Sequence, residues 1–207
     1  MAGVIGTGRV TPPTALASLP SLPIEIAARH EIEPYRQCEL DQLCGLLSAV
    51  NAIRLAVHSL APLSKAGSRN LFECGVEYLQ RKDGAAEALT SGMGTRCWHG
   101  IVRRLAREAS NSTIAAEVEK PSFGPSPAID ELLAWVEASI ATAKPVLIHL
   151  AGGLDHFTVV AGVTPTRLQL FDSCGHRFIN RKSCLGPKSF YRIPPKALLR
   201  VAVSRRG

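Results

Sequence analysis

The sequence predicts an α+β domain in which N-terminal helices pack on a C-terminal antiparallel β-sheet. Three observations lead there. Between about residues 43 and 141, apolar residues recur in helix-sized stretches free of internal proline. After Lys144 the period shortens, and apolar runs of strand length are separated by Gly, Pro, Asp and Thr. The helical stretches come first and the strand-like ones second, which is the α+β order.

The elements follow in turn. Residues 1–33 hold Pro12, Pro13, Pro20 and Pro23 among small residues, with no sustained period, and read as a flexible leader; the domain is assigned to 34–207. Leu43 to Leu55 is apolar all round, as a buried helix is, with Asp41 placed to cap it. Helices are expected at Asn70–Arg81 and Trp98–Ala109, with Gly92-Met-Gly94 as the loop between them, and at Asp130–Ala141. Strands are expected at Lys144–Leu150, His156–Ala161, Arg167–Asp172 and Lys196–Val203.

Composition narrows the function classes. A chain of 207 residues, 46% hydrophobic and 20% charged, has room for one ordinary core. Its net charge of +7 comes without a Lys/Arg block interleaved with aromatics, so the surplus reads as solvated surface rather than a nucleic-acid site. No apolar run reaches the ~20 residues of a membrane span. The N-terminus lacks a basic region followed by an apolar core, so no signal peptide is read and a reducing, cytoplasmic setting is expected. The six cysteines, at 38, 44, 74, 97, 174 and 184, form no CxxC pair, and free thiols are expected rather than a disulfide framework.

One cysteine is placed for chemistry. Cys44 falls in the first turn of its helix, where the macrodipole favours thiolate over thiol. That position alone is weak, because free cysteine is among the most buried residue types. Partners come from the second half of the chain. Gly152-Gly-Leu-Asp-His156 delivers a histidine to the first position of a strand, and Leu170-Phe-Asp172 ends the next strand in a carboxylate. A hairpin pairing symmetrically about Thr164 sets residue 156 opposite 172, on one face of the sheet. Asp172 would then accept one ring N–H of His156 and leave the other nitrogen for Cys44.

The order Cys, His, acid, and the segments "DQLCGLLSAVNAIR" (within Gln37–Arg54) and "HFTVVAGVTPTRLQLFDSCGHRFI" (His156–Ile179), resemble the signature segments of bacterial papain-like cysteine peptidases. They are similar to bacteriocin-processing peptidase domains and their stand-alone relatives. The two segments cover about a fifth of the chain. The resemblance implies a papain-like fold, Cys44 as nucleophile, His156 as general base and acid, and Asp172 as the residue orienting His156. It also implies an oxyanion glutamine upstream of the cysteine. Gln37 matches best, seven residues before Cys44 where the usual pattern has six, and Gln42 is its rival. Leu46 and Leu47 replace the aromatic residue favoured by the plant and lysosomal branch, so that branch's substrate preferences are not carried over.

Other candidates read as structural. His149 lies in an apolar strand; Cys97-Trp-His99 and Cys174-Gly-His176 have metal-like spacing but lack a second ligand pair, so no metal and no cofactor is expected. Cys38, Cys74 and Cys184 read as packing or surface thiols, a Cys38–Cys44 disulfide carries little weight, and Trp98 and Trp135 read as core. The expected activity is hydrolysis of a peptide or isopeptide bond in a protein or peptide substrate. A stand-alone protease or a bacterial effector toxin fits the chain, the latter exported without a signal peptide and met by an immunity or inhibitor protein. The alternatives are a transglutaminase-type or other acyltransferase with the same triad, and a protein-binding module with a vestigial one.

Overall fold

The computed structural model describes residues 23–37, 42–82, 85–184 and 189–207. It is an α+β architecture with an antiparallel sheet, as the sequence predicts. The described residues contain helices α1 (Cys44–Val57), α2 (Lys65–Gln80), α3 (Ala85–Thr90), α4 (Thr95–Ala109) and α5 (Ile129–Ala141). The strands are β1 (Ile24–Glu25), β2 (Ile114–Glu119), β3 (Val146–Gly152), β4 (His156–Val163), β5 (Arg167–Leu170), β6 (Phe178–Asn180), β7 (Tyr191–Arg192) and β8 (Leu198–Arg205). The main sheet runs β2-β8-β3-β4-β5-β6, with β1 added to β4 and β7 to β3.

Helix α1 is the axis of the core. All its residues except Arg54 and Ala56 are buried, which is why its sequence is apolar on every side. It packs on α2, α4, β4 and β8. Strand β4 is buried at all eight positions and also receives α5, so it is covered on both faces, as continuous apolar strands are. Asp41, expected to cap α1, lies outside the described residues; the position before the helix is Leu43, which makes no side-chain cap bond.

Several elements differ from the sequence expectation. Helix α2 starts five residues earlier than expected, because Ser64 accepts a hydrogen bond from Gly67 N at 3.0 Å and caps a polar first turn that carries no apolar period. Strand β2, Ile-Ala-Ala-Glu-Val-Glu, has little intrinsic strand preference; it is a strand because it pairs with β8 over six residues. The leader assigned to 1–33 needs a correction at its end. Ile24 and Glu25 pair with Val163 and Gly162, and Ile26 N donates to Ala161 O, so this segment covers a length of β4 that β3 does not reach.

Trp98, expected in the core, is fully buried and ties α4 to α1. Its Nε1 donates to Gly45 O and Ser48 Oγ, both at 3.1 Å, and its ring meets Phe157 of β4 at 4.5 Å. Trp98→Ala should destabilise the fold by about 3–5 kcal/mol, measured by urea denaturation; a loss below ~1 kcal/mol would show that this junction does not hold α1 against the sheet.

Candidate active site

The three residues singled out on sequence sit at element ends: Cys44 opens α1, His156 opens β4, and Asp172 follows β5. His156 Nε2 and Asp172 Oδ2 are 2.6 Å apart and both side chains are buried. The remaining ring nitrogen, Nδ1, is the one left for a thiol.

The register that joins them differs from the expected symmetric hairpin. At the hairpin tip Val163 pairs with Leu168 and Gly162 with Gln169; the register then shifts at Ala161, and Val160 pairs with Leu170. Carried on without that bulge, the tip register would set Asp172 opposite Val159, facing away from His156. The extra residue in β4 moves the match by one, and Phe171 N donates to Val159 O at 2.8 Å. Asp172 thus lies opposite Thr158 and diagonal to His156. The two share a face, as expected, but as diagonal neighbours rather than a direct pair.

Asp172 is held as an anion. Cys174 N and His176 N donate to its Oδ1 at 2.8 and 3.0 Å. The turn that aims both amides at one oxygen contains Gly175, whose φ of 89° lies in the region that favours glycine. Burial opposes ionisation of Asp172, but the His156 bond and charge, followed by the Thr158 side chain and the His176 amide, outweigh it, and its pKa lies below the ordinary carboxylate value. Burial likewise opposes charge on His156. The Asp172 hydrogen bond, the Cys44 hydrogen bond and then the charges of both prevail, lifting its pKa to about 9. At neutral pH the ring is an imidazolium between the Asp172 carboxylate and the Cys44 sulfur.

Cys44 is positioned from behind and from one side. Trp98 fixes the Gly45 carbonyl, and the side chain of Met93, from the 92–94 loop, lies against Gly45 so closely that a Cβ there would sit 2.7 Å from its sulfur. Buried Asn51, two turns along α1, clasps the chain entering the site: Tyr35 N donates to its Oδ1 at 2.8 Å, and its Nδ2 donates to Tyr35 O at 3.1 Å. Arg54 adds a bond to Glu33 O and lies over the Tyr35 ring at 4.1 Å. Further along, Gln37 N donates to Ser173 O beside Asp172. Asn51 and Arg54 stand in the segment that carries the resemblance, yet their roles were not legible there, because their partners are backbone groups 16 and 21 residues away.

The two glutamines are placed differently. Gln37 Oε1 accepts from Cys174 Sγ at 3.6 Å, and that sulfur is 3.9 Å from His156 Nδ1. Gln42 is exposed, donates its N–H to Leu89 O, and lines a cleft of about 340 Å³ together with Cys44, Met93 and Phe157. His149 also lines this cleft, stacked on Phe157 at 4.4 Å and bonded through Nε2 to Asp155 Oδ1 at 2.7 Å. Asp155 has a φ of 48°, in the turn that delivers His156.

Cys74, Cys97 and Cys184 are in no disulfide and sit in different surroundings. Burial alone pushes Cys184 up to about 11, and burial raises Cys74 and Cys97 as well, so these are poor nucleophiles at neutral pH. Cys38 lies outside the described residues. Among the described residues, His156, Asp172 and Cys174 bring three metal-type ligand atoms within 4.8 Å, but His156 Nε2 and Asp172 Oδ2 are already bonded to each other. No described helix is long and apolar enough to cross a membrane. No protein-family model, no curated protein and no solved structure matches the chain.

Because His156 is raised from 6.5 to about 9, its contribution to stability is complete below pH 6.5 and is lost as pH rises through 9. The depressed Asp172 contributes above the ordinary carboxylate pKa and loses that contribution as pH falls through its lowered one. Denaturation across pH should therefore show a decline between about 6.5 and 9 in the wild type that His156→Gln removes. In NMR titrations Asp172→Asn should lower the His156 pKa more than Cys44→Ala does. An unchanged His156 pKa in Asp172→Asn would contradict the pairing.

Proposed function

We propose that this chain is a papain-like cysteine peptidase that hydrolyses a peptide or isopeptide bond in a protein substrate. The observation that carries the reading is the pairing of His156 Nε2 with buried, ionised Asp172, beside a cysteine at the start of a buried helix. A histidine so oriented keeps Nδ1 for the thiol and holds its charge at neutral pH.

The chemistry follows from the placement. The Cys44 sulfur, its proton held on His156 Nδ1, attacks the amide carbonyl carbon, and the oxyanion that forms is met by the backbone N–H of Cys44, which by position has no intrahelical acceptor, and by a glutamine carboxamide. Gln42 shares the cleft with Cys44, whereas Gln37 approaches from the His156 side. His156 Nδ1 protonates the departing amine and leaves a thioester on Cys44. It then takes a proton from water, which attacks the thioester and frees Cys44. Asp172 remains ionised throughout and orients the ring.

Incubating the protein with a proteome-derived peptide library and reading new termini by mass spectrometry tests this. Cleavages should appear with wild type and vanish with Cys44→Ala, which changes too little volume to unfold the chain; Asp172→Asn should slow them by about 10²–10⁴-fold. Cleavage retained in Cys44→Ala would reject the assignment. Incorporation of an added amine in place of hydrolysis would move the protein to the acyltransferases.

A further inference from the structure

A second cavity, of about 930 Å³, opens on the far side of the α4 N-terminus and shares Thr95 with the Cys44 cleft. Four cations line it: Arg96, Arg103, Lys120 and Lys196. None of them forms an ion pair among the described residues, whereas Lys144 and Arg200 both pair with Glu119, the residue before Lys120. The remaining wall is apolar, built by Phe123, Leu198 and prolines including Pro121, Pro125 and Pro194.

An independent feature points to a ligand. His99, one turn into α4, lines the same cavity and is only 8% exposed, yet its Nε2 is buried without a hydrogen-bond partner. Buried polar atoms are normally satisfied, and an orphan at a cationic cavity calls for a partner. Burial and the charges of Lys120 and Arg103 hold the ring down to about 4 against the opposing pull of the Lys196 backbone, and Lys120 is itself lowered by burial and by Arg103. This is an uncompensated positive field over an apolar floor, which a bound anion would relieve.

We propose that this cavity is a binding site for a phosphate-bearing organic anion, with its charged group on Arg96, Arg103, Lys120 and Lys196 and its apolar body on Phe123 and the prolines. The volume fits a ligand of nucleotide size, and a mostly apolar wall with a few convergent polar groups is what small-molecule sites have. The site does not depend on the thiol chemistry.

Isothermal titration calorimetry of the full chain with ATP and with inorganic tripolyphosphate tests the assignment. Both should bind saturably at one site, ATP at least tenfold more tightly because the base covers apolar wall. Arg103→Ala/Lys120→Ala, both exposed positions, should weaken ATP at least tenfold with the melting temperature kept, and His99→Phe should weaken it several-fold. Cys44→Ala should bind ATP as the wild type does. Absence of saturable binding for both anions at millimolar concentration, or binding that survives the double substitution, would overturn the proposal. Equal affinity for the two anions would overturn the organic-body assignment. Binding of an Asp/Glu-rich peptide with neither anion bound would give the surface to an acidic protein segment instead.

Discussion

A carboxylate removed from water has to be compensated by what surrounds it. Asp172 is that carboxylate, and much of the sheet's lower edge is arranged around it. One oxygen takes the His156 ring and the other takes two backbone amides from a turn that Gly175 permits. Without these partners the group would protonate, and His156 would lose both its orientation and most of the influence that keeps it charged. The bulge at Ala161 belongs to the same requirement, since it turns residue 172 toward residue 156.

Cys44 is placed by a separate set of constraints that converge on the first turn of α1. Trp98 holds that turn from α4, and Asn51 and Arg54 hold the strap at 33–37 that passes between α1 and the Asp172 loop. The histidine and acid therefore depend on strand register, whereas the cysteine depends on helix packing. The two meet because β4 is packed directly against α1.

The legible parts of the sequence were those with local signals. The continuous apolar run of α1 announced a buried helix, and the glycine approach to His156 announced a strand start facing a cleft. Cys44, His156 and Asp172 came from chain order and an even register, which the structure reaches by a different pairing with the same parity. Nothing local announced the rest. The β2 segment becomes a strand through a partner more than 80 residues away, and Ile24–Ile26 leave the leader because a stretch of β4 needs cover. His149 read as a hydrogen-bonded interior or face residue; it bonds Asp155 as that reading has it, and strand pairing beside Phe157 brings it to the cleft. Cys174 read as half of an incomplete metal motif and instead stands beside His156.

The most direct test of the central proposal, that His156 activates Cys44 as a nucleophile, is labelling of the reduced protein with iodoacetamide, mapped by mass spectrometry, in wild type and His156→Ala. Rapid labelling confined to Cys44 and weakened in His156→Ala is the result the proposal predicts. Slow labelling spread over several cysteines, or Cys44 labelling indifferent to His156, would contradict it and leave Cys44 as a residue of the core.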